Sequence, residues 1–414
     1  MYKIANPDIK YTIAAQVGED THGMMVVGEY AIVRNLGRGS YGTVYEVKAL
    51  ATGERFAMKE YHKAVLRRRR QSDMMTRGSG GGGGGGRGGG RGGLFAARRQ
   101  LQQQLEREEA ADPFALIRTE LAVAKKLQHA SLVQVHEVLN DAEQDILYMV
   151  IDLCEGGPVQ RLDAAAAACE PLPAADAHAH FVSALLGLEF LHEHGIVHRD
   201  IKPDNLLLDS GGALRIADFG ESALVSRDDD RVTSAAGSPA FMAPELAAGG
   251  GGVSGEAADI WSLGVCLYCF VCGTLPFKGA TPLEVADAIA DAGLRFPAAP
   301  HGDEQLEDLL RRMLDRSPDS RIALAAIRDH PWVTRGGAFA LPSREENCRN
   351  AVGQITEDDV ANSIKHIYDI MPVILAVAKL RRFRRRIRER REQEEALARG
   401  ASGAGSSEPQ PAVA

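Results

Sequence analysis

The chain has 414 residues, of which 45% are hydrophobic, so it is long enough for roughly two to three folding units with a sizeable core. Its formal net charge of -8 argues against wholesale nucleic-acid binding, although it leaves room for a local basic site. Six cysteines are too few for a disulfide framework, and the first residues lack the basic start and continuous apolar stretch of a secretory signal. We therefore expect a cytoplasmic location, with the nucleus as a further possibility.

The first folded segment is predicted over residues 30–61, where apolar and polar side chains alternate around a glycine-rich turn, as in antiparallel strands. The composition then changes sharply, with four arginines at residues 67–70 and an almost pure glycine stretch at residues 77–93. Such a composition cannot bury a core, so we expect a flexible Arg/Gly-rich insertion over residues 66–111. Residues 1–29 are interpreted as an N-terminal extension.

Folding is expected to resume at the segment PFALIRTELAVAKKL, which has apolar residues at helical spacing. Asp112 is its candidate N-cap and Pro113 its first helical position. Residues 145–153 form a buried-strand pattern, and the apolar spacing beyond them is mainly helical as far as Trp332. This order predicts an α+β fold with a small antiparallel-sheet N-lobe and a larger, mainly helical C-lobe.

The turn in the first segment has the sequence GRGSYGTV at residues 37–44, in which small residues let a hairpin backbone lie close over phosphate groups. Taken alone, the pattern fits an ordinary glycine-rich hairpin equally well. The residues that it offers to a nucleotide are Gly37, Arg38, Gly39, Ser40, Tyr41, Gly42 and Val44.

A lysine in the sequence FAMK follows this turn after a strand-length interval. Lys59 can reach the α and β phosphates of a nucleotide if an acid fixes it, and Glu120 in the predicted helix is the candidate acid. A solvated surface acid is the alternative for Glu120, since most helical glutamates face water. The presence of Lys59 favours the catalytic interpretation.

Three further motifs are more specific: HRDIKPDN at residues 198–205, ADFG at residues 217–220 and APE at residues 243–245. Together with the glycine-rich turn they closely resemble the protein kinase family over residues 30–333. The resemblance includes DIWSLGV, which begins at Asp259, and an arginine, Arg321, of the kind that pairs with Glu245. It implies the bilobal protein-kinase fold and a transferase that uses ATP and Mg²⁺.

Phosphoryl transfer needs little covalent help, so the protein must mainly hold the triphosphate and metal and orient the acceptor hydroxyl. By resemblance, Asp200 would orient that hydroxyl or accept its proton, and Lys202 would contact the transferring phosphate. Asn205 and Asp218 would hold magnesium. Lys202, two positions after Asp200, matches the serine/threonine branch of the family. No catalytic group is missing, so nothing favours the alternative of a catalytically silent scaffold.

Within the family, the chain most resembles the calcium/calmodulin-dependent protein kinase kinases and their plant relatives that activate sucrose-non-fermenting-related kinases. The resemblance rests on the position of the insertion, on residues 141–159 and on GSPAFMAPE at residues 237–245. It implies that the acceptor is an activation-loop threonine of a downstream kinase, with the insertion either helping to dock that kinase or forming a solvated loop. Pro158, where kinases of basic substrates often carry a glutamate, weakens the alternative of a basophilic calmodulin-dependent or sucrose-non-fermenting-related kinase.

The segment between DFG and APE carries the predicted regulatory residues. Arg199 could receive a phosphate on Thr233 or Ser234, which would order the loop through charge-assisted hydrogen bonds. The acids at residues 228–230 could partly substitute for that phosphate. Two residues depart from the family pattern without removing a catalytic group: Ser238, for the more usual threonine, and Glu221 after DFG.

Three cysteines, Cys266, Cys269 and Cys272, have a spacing that is also found in zinc and iron-sulfur sites. They lie in an apolar segment that continues from DIWSLGV, and no matching cluster supplies further ligands. We therefore expect a buried core helix with free thiols, neither a metal site nor a membrane span.

The C-terminal part is divided into a linker at residues 334–353, a regulatory segment at residues 354–396 and a disordered tail at residues 397–414. The regulatory segment joins an apolar helix to a basic one, with nine basic residues and one acid at residues 379–391. This contrast predicts an acidic partner, and the resemblance suggests calcium-calmodulin acting on an autoinhibitory helix. Membrane-surface binding, nuclear targeting and a merely solvated face are the alternatives. Two registers place bulky anchors 13 positions apart: Ile370 with Phe383, or Ile374 with Ile387.

Overall fold

The computed structural model describes residues 10–12, 15–19, 23–38, 42–65, 127–141, 143–163, 167–226, 229–232, 237–248, 252–291, 293–296 and 303–349. In this part of the chain a sheet forms an N-lobe and the helices form a C-lobe. The predicted α+β, bilobal arrangement is confirmed. The insertion, the helix of Glu120 and the C-terminal regulatory segment lie outside the described residues.

The N-lobe is built from eight strands: β1 (Lys10–Thr12), β2 (Val17–Glu19), β3 (Met25–Val27), β4 (Tyr30–Arg38), β5 (Thr43–Ala49), β6 (Arg55–His62), β7 (Val135–Asp141) and β8 (Ile146–Ile151). Their spatial order is β1-β7-β8-β6-β5-β4-β3-β2, and the pairs are antiparallel except for β1 with β7. Alternate side chains of the central strands, among them Val47, Met58 and Val150, fill one buried cluster.

The N-terminal residues 10–19 reach both edges of this sheet. β1 pairs with β7 at one edge, whereas β2 pairs with β3 at the other. Between them Ala15 is buried, and its amide donates a hydrogen bond to the carbonyl oxygen of Asn140 at 3.0 Å. The buried carboxylate of Glu137 accepts hydrogen bonds from the hydroxyls of Thr12 and Tyr30. Part of the segment predicted as an extension therefore belongs to the sheet.

The C-lobe contains the helices α1 (Ala174–Glu193), α2 (Pro244–Ala247), α3 (Gly255–Cys272), α4 (Pro282–Asp291), α5 (Glu304–Met313), α6 (Leu324–Arg328), α7 (Pro331–Thr334) and α8 (Arg344–Asn347). Short strands line its upper side: β9 (Gly157–Pro158), β10 (Ile196–Val197), β11 (Leu206–Leu208), β12 (Leu214–Ile216), β13 (Ala223–Leu224), β14 (Arg231–Val232) and β15 (Val253–Ser254). α1 and α3 lie at the centre, where Phe181, Leu185 and Trp261 are fully buried.

α3 is a core helix with defined ends. The Ser254 hydroxyl accepts a hydrogen bond from the amide of Ala257 at its start, and Gly273 ends it with a φ of 64°. By length and composition it is the one described helix that could cross a membrane, but 78% of its apolar window is buried inside the C-lobe.

The cysteines of α3 lie where a core helix would place them. Cys266 and Cys269 are fully buried, and burial raises the pKa of both thiols well above the ordinary value. Within the described ranges, no group of three or more His, Cys, Asp or Glu side chains could hold a metal ion. The burial of Cys266 and Cys269 agrees with the expectation of a buried core helix.

Candidate active site

The loop between β10 and β11 brings together two predicted catalytic side chains, Asp200 and Lys202, and the predicted metal ligand Asn205. The Asp200 carboxylate accepts hydrogen bonds from Lys202 Nζ at 2.7 Å and from Asn205 Nδ2 at 2.9 Å. Asn205 Nδ2 also donates to the Asp200 carbonyl oxygen at 2.8 Å. A fourth residue, Ser238, donates its hydroxyl to Asp200 at 3.1 Å and accepts from Lys202 at 2.9 Å. These contacts fix the carboxylate between a cation and two hydrogen-bond donors.

Asp218 lies directly after β12 and pairs with the lysine of the N-lobe. Lys59 Nζ donates to Asp218 Oδ1 at 2.7 Å, which links the two lobes across the cleft. Burial alone would raise the pKa of Asp218, but the Lys59 ammonium more than offsets it and lowers the pKa below the ordinary value. Asp218 is therefore an anion at neutral pH.

The glycine-rich turn joins β4 to β5, and its described residues lie at the ends of those strands or, for Gly42, directly before β5. Gly37 pairs with Val44, and Arg38 pairs with Thr43. At Gly42 a Cβ atom would come within 1.9 Å of the carbonyl oxygen of Glu60, the residue after Lys59, so no side chain fits there. The tip, Gly39, Ser40 and Tyr41, lies outside the described residues.

A buried aspartate of α3 holds the backbone of the loop between β10 and β11, here called the catalytic loop. Asp259 is completely buried and accepts hydrogen bonds from the amides of His198 and Arg199, each at 2.7 Å, and from His192 Nε2 at 2.9 Å. Burial alone would raise its pKa, but the hydrogen bond from His192 and the nearby imidazoles lower it. Because Arg199 adopts a φ of 66°, the loop needs such anchors to hold its shape.

His198 and Gly237 bring the remaining segments of the site together. His198 is fully buried, and its Nε2 lies 3.1 Å from the Ala217 carbonyl oxygen, one residue before Asp218. Gly237 has a φ of 99°, and a Cβ there would lie 2.4 Å from the carbonyl oxygen of Arg199. Only glycine allows this close approach of the segment before Ser238.

Sequence reasoning did not assign these supporting roles to Asp259, His198 or Gly237. All three lie in recognised motifs. A motif gives the residue types at each position, but it does not show that the carboxylate of Asp259 in one motif binds the amides of His198 and Arg199 in another. A polar residue inside the apolar run of α3 was the signal that could have identified Asp259.

The predicted regulatory residues are only partly described. The Arg199 guanidinium donates through Nε to the carbonyl oxygen of Glu221 at 2.5 Å. Of the acids expected to substitute for a phosphate, Asp230 instead accepts hydrogen bonds from the Ser254 hydroxyl and the Glu256 amide. Its carboxylate therefore caps α3. Thr233, Ser234 and Asp228 lie outside the described residues, as do Glu120, Ile370, Ile374, Phe383 and Ile387.

The segment after the APE motif is anchored as the resemblance implies. Arg321 is buried, and its two terminal nitrogens donate to the Glu245 carboxylate at 2.7 and 2.9 Å. The same guanidinium stacks 5.1 Å from the Trp261 ring centroid. This bidentate pair fixes α2 against the core of the C-lobe.

The residues of the cleft fit a nucleotide and a magnesium ion. Asn205 uses its amide nitrogen on Asp200, so its carbonyl oxygen remains for a cation, and Asp218 supplies an ionised carboxylate. Oxygen ligands of this kind are those that Mg²⁺ prefers. The Glu60 carbonyl oxygen fills the space that a side chain at Gly42 would need, so the residue before β5 lies close against β6, the strand that carries Lys59. The roles of these residues remain predictions.

Comparison with known proteins agrees with this geometry. Residues 78–333 match the family model described as protein kinase domain. A Caenorhabditis elegans calcium/calmodulin-dependent protein kinase kinase is 39% identical over 276 residues, which cover 66% of this chain and 50% of that protein. The Emericella nidulans calcium/calmodulin-dependent protein kinase kinase cmkC is 34% identical over 358 residues, 86% of this chain and 67% of that protein.

A plant protein is similar over a comparable length. The Arabidopsis thaliana serine/threonine-protein kinase GRIK2 is 32% identical over 354 residues, which cover 85% of this chain and 76% of that protein. The chain spans about half the length of the first relatives that it matches. The family-model match begins after β6, but the pairing of β6 with β8 places Lys59 in the same sheet. The chain therefore belongs to the protein kinase family, and its relatives include calcium/calmodulin-dependent protein kinase kinases and the plant kinase GRIK2.

Proposed function

We propose that this protein is a serine/threonine kinase that transfers the γ-phosphate of ATP to an activation-loop threonine of a downstream protein kinase. The observation that supports it best is that Lys202 and Asn205 both donate hydrogen bonds to Asp200. The Ala217 amide donates to the Asn205 carbonyl oxygen, so the Lys59–Asp218 pair lies beside this loop. Both the acceptor side and the nucleotide side of a phosphotransfer site are present.

The expected chemistry assigns a task to each group. Asp200, held by Asn205 and Ser238, would orient the acceptor hydroxyl and take its proton as the hydroxyl oxygen bonds to the γ-phosphorus. The bond from that phosphorus to the bridging oxygen breaks, and ADP leaves. Lys202, already paired with Asp200, can donate to an oxygen of the transferring phosphate. Lys59 leaves Asp218 for the α and β phosphates. Magnesium, when bound by Asn205 and Asp218, neutralises charge that develops on the triphosphate.

The absence of a carboxylate at one position supports a folded kinase as substrate over a basic peptide. Pro158 lies in β9, just after the connection between the lobes, and has no charge to offer a substrate arginine. Glu155, the acid closest to it on this connection, pairs with Arg55 of the N-lobe at 3.1 Å. Two of the relatives described above are named as kinase kinases.

We further propose that calcium-calmodulin binds the segment at residues 354–396 and relieves autoinhibition in a cytoplasmic enzyme. The support is the sequence pattern of this segment, in which apolar anchors 13 positions apart, Ile370 with Phe383 or Ile374 with Ile387, accompany nine basic residues at 379–391. Two relatives are named as calcium/calmodulin-dependent protein kinase kinases. Because the anchors are apolar, binding should survive moderate salt. Changing Ile374 and Phe383 together to alanine should abolish it.

The experiment measures transfer of radiolabelled phosphate from Mg-ATP to a catalytically inactive downstream kinase, with and without calcium-calmodulin. The acceptor carries either its activation-loop threonine or alanine there, and Asp218→Asn provides the blank. We expect threonine-dependent labelling that calmodulin increases. Labelling of basic peptides alone would identify the basophilic class, and labelling no higher than the blank would indicate a scaffold. Threonine-dependent labelling that calcium-calmodulin does not increase would contradict only the proposal of calmodulin regulation.

A further inference from the structure

The residues that follow the last core helix of the C-lobe lie along α1. Residues 335–349, here called the strap, were predicted as part of a linker. Their C-terminal half contains α8, which begins with a capping box in which Ser343 and Glu346 exchange hydrogen bonds. At the rim of the strap, Arg344 pairs with Glu193 of α1 at 2.5 Å.

Asn347, the last residue of α8, is the buried contact of the strap. It is only 8% exposed, and its Nδ2 donates to the carbonyl oxygen of Leu186 at 3.0 Å and to Glu189 at 2.8 Å. Its Oδ1 lies 3.0 Å from Nε2 of His129, which belongs to the segment that precedes β7. One amide thus joins the strap, α1 and this loop.

His129 connects Asn347 to α1 and to the segment that precedes β7. Its ring stacks on Phe190 of α1 at 4.7 Å, and its Nδ1 accepts a hydrogen bond from the amide of Ser131 at 3.1 Å. An imidazole that accepts at Nδ1 carries its proton on Nε2, so it donates to Asn347. Burial lowers the pKa of His129, in keeping with this neutral form. Both ring nitrogens are therefore used in fixing the loop.

Ser131 then connects the loop to the strand that carries Asp218. The Ile216 amide donates to the Ser131 carbonyl oxygen at 2.8 Å, and the Val133 amide donates to the Ile216 carbonyl oxygen at 2.9 Å. Gly187 of α1 permits the approach, because a Cβ there would lie 3.0 Å from Ile216 and 3.1 Å from Ser131. Ile216 is two residues before Asp218, so the contacts form an unbroken series from Asn347 to the magnesium side of the site.

We propose that Asn347 is a positioning residue for the nucleotide site, acting through His129, Ser131 and Ile216. The strap is then a part of the catalytic unit, and it sets the affinity for magnesium-nucleotide from the far side of α1. It also precedes the C-terminal regulatory segment in the chain, so a partner of that segment has a physical route to Asp218. The proposal rests on the proposed function only for its nucleotide-binding test.

The nucleotide-binding test compares the full-length Asn347→Ala variant with wild type, using a non-hydrolysable ATP analogue with magnesium. Changes along such a coupled route typically alter binding by about 3- to 30-fold, and we expect the variant's Kd to rise by that factor. The matched control is Arg344→Ala, which removes an exposed contact from the same helix and should change the Kd by less than about twofold. Equal effects of the two variants would overturn the proposal.

A second readout needs no nucleotide. Hydrogen exchange of the Ser131, Val133 and Ile216 amides in the full chain should be at least about 3-fold faster in Asn347→Ala and unchanged in Arg344→Ala. Unchanged exchange at all three amides in Asn347→Ala would reject the route, even if wild type bound no nucleotide and the proposed function itself failed.

A double-variant cycle with His129→Gln completes the test, and His129→Gln replaces Asn347→Ala if that protein does not fold. Because both side chains act through one hydrogen bond, we expect the double variant to be no more impaired in nucleotide binding than the worse single variant. Fully additive effects would mean that the two residues act independently.

Discussion

At the scale of single residues, the carboxylate of Asp200 shows how the site is organised. It is the group proposed to take the proton of the substrate hydroxyl, and three groups of the chain donate hydrogen bonds to it: Lys202, Asn205 and Ser238. Such contacts hold a carboxylate in one orientation, because rotating it would leave a partly buried charge without its donors. Ser238 is the member of this set that comes from outside the catalytic loop.

Removing the Ser238 hydroxyl should therefore slow phosphate transfer. Ser238 bridges Asp200 and Lys202 at 3.1 and 2.9 Å, and hydrogen bonds to charged groups contribute about 1.5–3 kcal/mol. We expect Ser238→Ala to lower kcat by about 10- to 100-fold with little change in thermal stability. Ser238→Thr keeps the hydroxyl and should retain most of the activity. Equal kcat values for the alanine and threonine variants would contradict this role.

At the scale of secondary-structure elements, the N-terminal strands β1 and β2 contribute more to the N-lobe sheet than their short length suggests. β1 and β2 have three residues each, and neither would be stable alone. They persist because Glu137, only 2% exposed, needs hydrogen-bond donors, and β1 supplies the Thr12 hydroxyl and the nearby Lys10 ammonium. The segment also covers both edges of the sheet, which would otherwise present unpaired backbone groups.

Deleting residues 1–22, and with them β1 and β2, should destabilise the N-lobe. The deletion removes two of the partners of the buried Glu137 carboxylate and exposes the edge of β7, so we expect the free energy of unfolding to fall by about 3 kcal/mol. Urea denaturation would measure it, with deletion of residues 1–9 alone as the control. If both deletions had the same stability as the full chain, the strands would not contribute to folding.

At the scale of the whole molecule, three histidines make the folded state sensitive to acid. Burial lowers the pKa of His129, His178 and His180 below the ordinary value of about 6.5. Below that pH these imidazoles take up protons more readily in the unfolded chain than in the folded protein. Their contribution to stability is therefore complete above about pH 6.5 and decreases as the pH falls toward their folded-state pKa values.

We therefore expect the free energy of unfolding to decrease between pH 7.5 and pH 5.5, a window chosen around the unperturbed histidine pKa of about 6.5. His129→Gln should reduce the slope, because one of the contributing imidazoles is gone. Urea titrations at several pH values would measure both proteins. Identical slopes would show that His129 does not contribute to the acid sensitivity.

Much of this architecture could be predicted because the necessary signals are local. Alternation over residues 30–61 predicted β4 to β6, and helical spacing predicted the C-lobe, since both periods follow from backbone geometry over a few residues. The candidate groups Lys59, Asp200 and Asp218 were identified from short motifs whose residue types match the chemistry. Where these motifs meet in space was inferred only through the family resemblance.

Local motifs and periodicity were enough to predict the family, the two lobes and the candidate catalytic groups. Which distant groups support those candidates depends on the packing of the folded chain. Asp259 holds the amide of His198 from 61 positions away, and Asn347 meets His129 across 218 positions. No local period encodes such contacts, because they depend on how α1, α3 and the strap pack against one another. The strap consequently changed from a predicted linker to an ordered part of the C-lobe.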